Sequence, residues 1–339
     1  IRSEGGVRLA HSLLGRVALA GLSESRIRLL HERAGAVLPA AEAADHLARA
    51  GRHAEAAGLF IRAADQAVES HAMASALQHL HSALALGVTD DPSVQRRIGD
   101  IESILGHYEA ARHGYEISAA RSVGPELAAV EIQLARLALR SGDEELAASH
   151  LDSADAELAV ERDTGSASLA VDSAICRALV TAASGGDAAD AASTGVTMAR
   201  AIDDPAIEAA AESAAALIAY QTHARARAVE HAHRAIRLST LSAAPMVEAA
   251  ATNLLGLVRA SEGKHDEAIE AFERACTILG RHGDVHRLAA VHANLGDALH
   301  ETGRDDEARA HQIESARLFS EVSGPPIDGQ ADPWLLTAW

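Results

Sequence analysis

Apolar residues in this chain recur at helical steps of three and four positions, and the stripes they form share one outline. Ala268, Ile269, Phe272, Ala275, Cys276 and Leu279 make one stripe, Ala147, Ala148, Leu151, Ala154 and Leu158 a second, and Ala228, Val229, Ala232, Ala235 and Ile236 a third. Residues spaced this way share one face of an α-helix. An alanine also returns behind a turn signal, at Ala56, Ala76, Ala111, Ala147, Ala191, Ala228, Ala268 and Ala308, spaced 20 to 44 residues apart and 40 over the last two steps. The clearest copy runs Leu255-Gly256, Gly263, Ala268, Phe272 and Ala275, and the next runs Leu295-Gly296, Gly303, Ala308 and Ser315. Self-similarity of this period predicts an all-α fold, an α-solenoid of helical hairpins in which each unit buries its apolar face on its neighbours.

Proline tests the helix boundaries independently, because it is tolerated at a first helical position and breaks an interior. Asp91-Pro92, Gly124-Pro125, Asp204-Pro205 and Ala244-Pro245 each open a first helix, with Asp91 and Asp204 placed to cap free amides. The spacing predicts first helices at 92–105, 125–141, 166–184, 205–221, 245–262 and 286–302, and second helices at 107–122, 143–161, 187–203, 223–240, 265–281 and 305–321. Upstream, copies beginning at Ala44 and Ala64 follow so closely that they share the helix around 55–69. Residues 1–37 fall outside the repeat and read as helices around 5–20 and 23–37, the second capped by Ser23 and basic through Arg26, Arg28, His31 and Arg33. The chain thus divides into a helical junction at 1–37, a repeat array at 38–323 and a tail or linker at 324–339, where Trp334 and Trp339 are candidates to dock on the last repeat.

Composition narrows the function. Only 2% of residues are aromatic against 48% hydrophobic, so the core is built from Ala, Leu, Ile and Val, and small residues let helices approach closely. A net charge of −18 repels phosphate backbones, which argues against direct contact with nucleic acid. Cys176 and Cys276 lie in apolar helical patterns and read as buried hydrophobes in a reducing, cytoplasmic compartment. No run of 18 apolar residues argues for a membrane span, and the opening Ile1-Arg2-Ser3-Glu4 lacks Met and a signal core, as expected of a fragment of something longer.

No motif carries catalysis, and the chain reads as a non-enzyme. Gly263-Lys264 lacks the rest of a phosphate-binding loop, and Gly165-Ser166-Ala167-Ser168 lacks the strand and last glycine of a nucleophile elbow, leaving Ser166 as a helix cap. The 19 histidines include no His-Glu-x-x-His, and His282 and His286 straddle a helix break at Gly283, so no metal site is expected. The acidic pairs Glu144/Glu145 and Asp305/Asp306 fall in first turns, where they complement the helix dipole.

The pattern Leu-Gly, Gly seven positions on, then Ala, Phe and Ala resembles the tetratricopeptide repeat, most closely over 250–320 and least over 166–203, where Leu179 and Gly195 stand in the family's small and large positions. Gly195 there suggests a soft point. The entry, His11-Ser-Leu-Leu, Leu22-Ser23, Arg26-Ile-Arg-Leu-Leu-His31 and Ala43-Ala-Asp-His46, looks like the junction at which the winged-helix end of a signal-transducing (STAND) NTPase passes into its tetratricopeptide arm, as in large ATP-binding LuxR-type regulators. Gly15 and Arg16 depart from the commoner form of that junction. The resemblance implies a right-handed superhelix that serves as sensor and oligomerisation surface. It also implies attached NTPase and DNA-binding domains, with ATP held only by upstream sequence and no cofactor here.

In that family first helices line a concave groove. The two asparagines of the chain, Asn253 and Asn294, fall just before Gly256 and Gly296 on that face, where an amide can bond a partner's extended backbone or a neighbouring helix. Asp297, His300 and Glu301 continue the face and make it polar and acidic, which suits a basic or peptide-like partner better than an anion; the partner expected of the arm as a whole is a protein or peptide, or a small effector. The expected role is an interaction and effector-sensing arm of a transcriptional regulator, with a free-standing scaffold that bridges proteins as the alternative.

Overall fold

The computed structural model describes residues 21–87, 91–159 and 164–323, together with the two-residue strands Arg2–Ser3 and Gly6–Val7, which pair antiparallel. The helix expected at 5–20 and the two tryptophans lie outside the described residues. The chain forms two compact units that divide between Asp91 and Pro92, so the 37/38 boundary falls inside the first.

The first unit holds α1 (Glu24–Gly35), α2 (Ala40–Arg49), α3 (His53–Glu69) and α4 (Met73–Ala85). As expected, α3 serves two hairpins, packing on α2 and on α4. Ser23 stands at the N-cap of α1 but its hydroxyl meets Ser25 Oγ at 3.1 Å and makes no cap bond, contrary to expectation.

The second unit holds six hairpins: α5 (Pro92–Ile104) with α6 (Tyr108–Ala119), α7 (Gly124–Arg140) with α8 (Glu144–Leu158), α9 (Thr164–Ala183) with α10 (Ala189–Ile202), α11 (Pro205–Gln221) with α12 (Arg225–Leu241), α13 (Pro245–Ser261) with α14 (His265–His282), and α15 (Val285–Glu301) with α16 (Asp305–Ser323). Each helix packs on the next, and first helices from α7 onward also touch the next first helix, which is how a stack of hairpins closes its core. Asp204 caps α11 by accepting from Ala206 N at 2.8 Å. Ser166, by contrast, lies inside α9, which begins two residues earlier at Thr164.

One rule unites the hairpins. The turn residue has positive φ, at Gly51, His71, Gly106, Gly142, Gly185, His223, Gly263 and Gly303, and the residue seven before it is always small: Ala44, Ala64, Gly99, Ala135, Ala178, Ala216, Gly256 and Gly296. The reason is steric. A Cβ on Gly256 would lie 2.5 Å from the Phe272 ring and one on Gly99 2.6 Å from the Tyr115 ring, so the aromatic side chain occupies the space a larger residue would need.

The same rule corrects the 166–203 repeat. There the turn glycine is Gly185, with φ +75°, and the connection to α10 is longer, so the fourth residue of the second helix is Ala192, not Ala191. The small first-helix residue is then Ala178 and the large second-helix residue Val196, both buried, in place of Leu179 and Gly195. Gly195 packs toward Ile175, and α10 runs unbroken through it.

Cys176 is buried and Cys276 partly so, both as free thiols, and burial pushes them up to about 11 and about 12. Only α9 among the described helices is long and apolar enough to cross a membrane. It packs against α7, α8, α10 and α11, and its Arg177 pairs with Asp152 and Asp155 of α8 at 3.0 and 2.7 Å.

Candidate functional site in the second unit

Of the five residues expected to line a groove, two are buried and three are exposed. Asn253 and Asn294 are buried and bond each other, Asn294 Nδ2 donating to Asn253 Oδ1 at 2.9 Å, so they tie α13 to α15. The remaining Asn294 Oδ1 has no partner. Asp297 is exposed and hydrogen-bonds Gln312 of its hairpin mate. His300 Nδ1 meets Asp305 Oδ1 at 2.6 Å across the turn, and Glu301 is exposed. A peptide backbone that used the two amides would have to displace their mutual bond.

A second polar system braces the middle of the unit. Glu212 of α11 is fully buried, and its carboxylate meets Arg200 Nη2 of α10 at 2.7 Å and both Arg234 Nε and His231 Nδ1 of α12 at 3.0 and 2.6 Å. Burial alone would raise its pKa, but hydrogen bonds from His231 and Arg200 outweigh that and hold it below the ordinary value. Every oxygen has a partner, so this is a strut.

The seam between distant hairpins differs. Tyr108 opens α6, Arg140 closes α7 and His286 lies in the first turn of α15, yet they meet: the Tyr108 and His286 rings are 5.5 Å apart edge to face, and Arg140 Cζ stands 5.1 Å from the Tyr108 ring centroid. Phe319 of α16 also packs edge to face with His286, ring centroids 5.4 Å apart. His286 is 4% exposed, and neither of its ring nitrogens, nor the Tyr108 hydroxyl, nor Arg140 Nε has a hydrogen-bond partner of good geometry. Burial, then the positive charges of Arg140 and Arg287, push His286 down to about 4, so it is neutral at pH 7. Burial also raises Tyr108.

Neighbouring charges are balanced where the seam is not. Asp284 caps α15 by accepting from Arg287 N at 2.9 Å, and its second oxygen lies 3.5 Å from Arg287 Nε. Arg136 lies 3.5 Å from Asp172, and Tyr115 donates to Asp100 at 2.9 Å. Arg140 has no carboxylate within ion-pair distance among the described residues, and its charge rests on an aromatic face. No local pattern announces this grouping, because Tyr108 and His286 are 178 positions apart in sequence. The one signal was chemical: an aromatic residue at 108 where other hairpins carry His53 or His265.

With that geometry in hand, comparisons with known proteins confirm the fold. A tetratricopeptide-repeat family model matches residues 247–321. A signal-transduction ATPase with numerous domains that carries a tetratricopeptide-repeat sensor, from Pyrococcus horikoshii, superposes with a TM-score of 0.52 at 14% identity over 96% of this chain and 54% of its own. The chain thus spans about half the length of that ATPase. A Rap protein complexed with competence and sporulation factor superposes with a TM-score of 0.56 at 14% identity, covering 80% of this chain and 78% of its own. No curated protein matches in sequence. At such identities the likeness establishes the α-solenoid of helical hairpins.

Proposed function

We propose that this chain is the effector-sensing and interaction arm of a cytoplasmic NTPase-type transcriptional regulator of the LuxR-type class, with nucleotide bound by other parts of the polypeptide and no turnover of its own. The observation that carries the reading is the seam: helices from hairpins far apart in sequence meet around buried polar atoms that have no partner. Buried groups left so cost about 1–3 kcal/mol each, and a fold retains such a cost where a ligand or a movement makes use of it. The likeness to an ATPase with a tetratricopeptide-repeat sensor agrees with this, and the Rap complex with its factor supports a protein or peptide partner as the class of ligand for the solenoid at large. The scaffold alternative draws on the fold alone.

The test uses the natural polypeptide. NTP turnover and self-association are measured with and without residues 1–339. The sensor reading expects deletion to change turnover or assembly at least several-fold; no NTPase activity in the natural protein would leave the scaffold.

A further inference from the structure

Four of the eight buried polar atoms without a hydrogen-bond partner among the described residues belong to three side chains of the seam, Tyr108, Arg140 and His286. Their chemistry leans toward donation. Arg140 Nε–H can only donate, the Tyr108 hydroxyl carries a proton to donate, and a neutral imidazole presents one N–H beside one acceptor nitrogen. The site also lies at the N-terminal end of α6, which has no side-chain cap and where free amides favour negative charge, while Asp284 already caps α15. A metal cation is disfavoured by the guanidinium, and an apolar ligand would leave every donor unpaired.

We propose that the seam binds the carboxylate or phosphate group of a small anionic effector, held by Arg140, Tyr108 and His286, and that occupancy fastens α6 and α7 to α15 and α16. The inference deepens the sensor reading and rests on it for the consequence of occupancy. An oxyanion accepts from a guanidinium, a phenol and an imidazole at once, and these charge-assisted bonds are the strong ones. The donors come from separate hairpins that already meet ring to ring, so the anion would add charge-assisted bonds to a contact between elements distant in sequence. Its binding and the closure of the seam are then one equilibrium, as a sensor requires.

The experiment is thermal unfolding and calorimetry of residues 1–339 at constant ionic strength, with sodium chloride replaced stepwise by sodium phosphate in one arm and sodium succinate in the other. We expect a saturable rise in Tm in one arm, which tells phosphate from carboxylate. Arg140→Gln should weaken the apparent affinity about 10- to 100-fold and Tyr108→Phe about 3- to 10-fold, as loss of one charged and one neutral hydrogen bond implies. Tyr108→Phe keeps the ring against His286, so its fold is secure. No saturable shift over chloride in either arm, or a shift of unchanged midpoint in both variants, overturns the proposal. The sensor reading fails separately, when deletion of the arm leaves turnover and assembly of the natural protein unaltered.

Discussion

Between Gly256 and Phe272, two helices of one hairpin meet with a ring seated against bare backbone; between Tyr108 and His286, helices of distant hairpins meet around nitrogens and a hydroxyl without hydrogen-bond partners of good geometry. The first contact recurs, in smaller or larger form, in each hairpin of the second unit, and chain connectivity alone brings its partners together. The second depends on how successive hairpins add up, and it is built from groups that hydrophobic packing does not need. Contacts of the first kind hold the array together. A contact of the second kind weakens it unless something is bound.

Substitutions sharpen that contrast, beginning with the largest effect. Glu212→Ala should destabilise the second unit by about 3–5 kcal/mol, because it removes the buried carboxylate that Arg200, Arg234 and His231 share and leaves the two arginines only Glu208. Chemical denaturation followed by circular dichroism measures this, and a loss under about 1 kcal/mol would make the strut an ornament. Phe272→Ala should cost about 3–5 kcal/mol as well, toward the lower end if α13 and α14 can close on the void.

At the seam the sign should reverse. His286→Phe fills the same space and removes two unpaired nitrogens, so it should stabilise the protein by about 1–3 kcal/mol while abolishing anion binding, the trade expected where a site is kept for function. The wild type should also lose stability in acid at this residue. Its folded pKa, about 4, lies below the unfolded value of 6.5, so the unfolded chain takes up the proton first. The His286 contribution is therefore intact above pH 6.5 and lost as pH falls toward 4, by about 3 kcal/mol in all. Melting curves of wild type and His286→Phe from pH 7.5 to 4 should diverge in that window, and parallel curves would place His286 in solvent. Smallest of all, Tyr108→Phe should change stability by no more than about 1 kcal/mol, since its hydroxyl has no hydrogen bond of good geometry to lose.

Much of the fold was legible in the sequence because hairpin formation is local. Gly256 and Gly263, seven apart, already imply a small contact and a left-handed turn, and the prolines at 92, 125, 205 and 245 mark helix starts through their own geometry. The one slip in that register came at Gly185-Gly186, where two adjacent glycines offered two turns and only the backbone could choose between them: φ is +75° at Gly185, and a Cβ on Gly186 would meet Thr181. Ser166 shows the same limit, since a residue suited to capping caps only if the chain starts its helix there, and Ser23 stands at a helix start yet turns its hydroxyl to Ser25.

The candidate site was far less legible. Asn253 and Asn294 stood out as the sole amides of their type, and sequence placed them on one face, but whether they meet a partner or each other depends on the distance between α13 and α15, which the structure sets at hydrogen-bonding range. Tyr108, Arg140 and His286 stood in three unremarked places, and His286 drew attention only as half of a poor metal pair. By itself the sequence determined which residues are helical, which face of each helix is apolar and how close two helices of a hairpin come, because each is fixed within about forty residues by spacing and side-chain size. The tertiary structure alone decided which polar groups lose water without gaining a partner, because that follows from the small rotation added at every hairpin, a sum that no single repeat records.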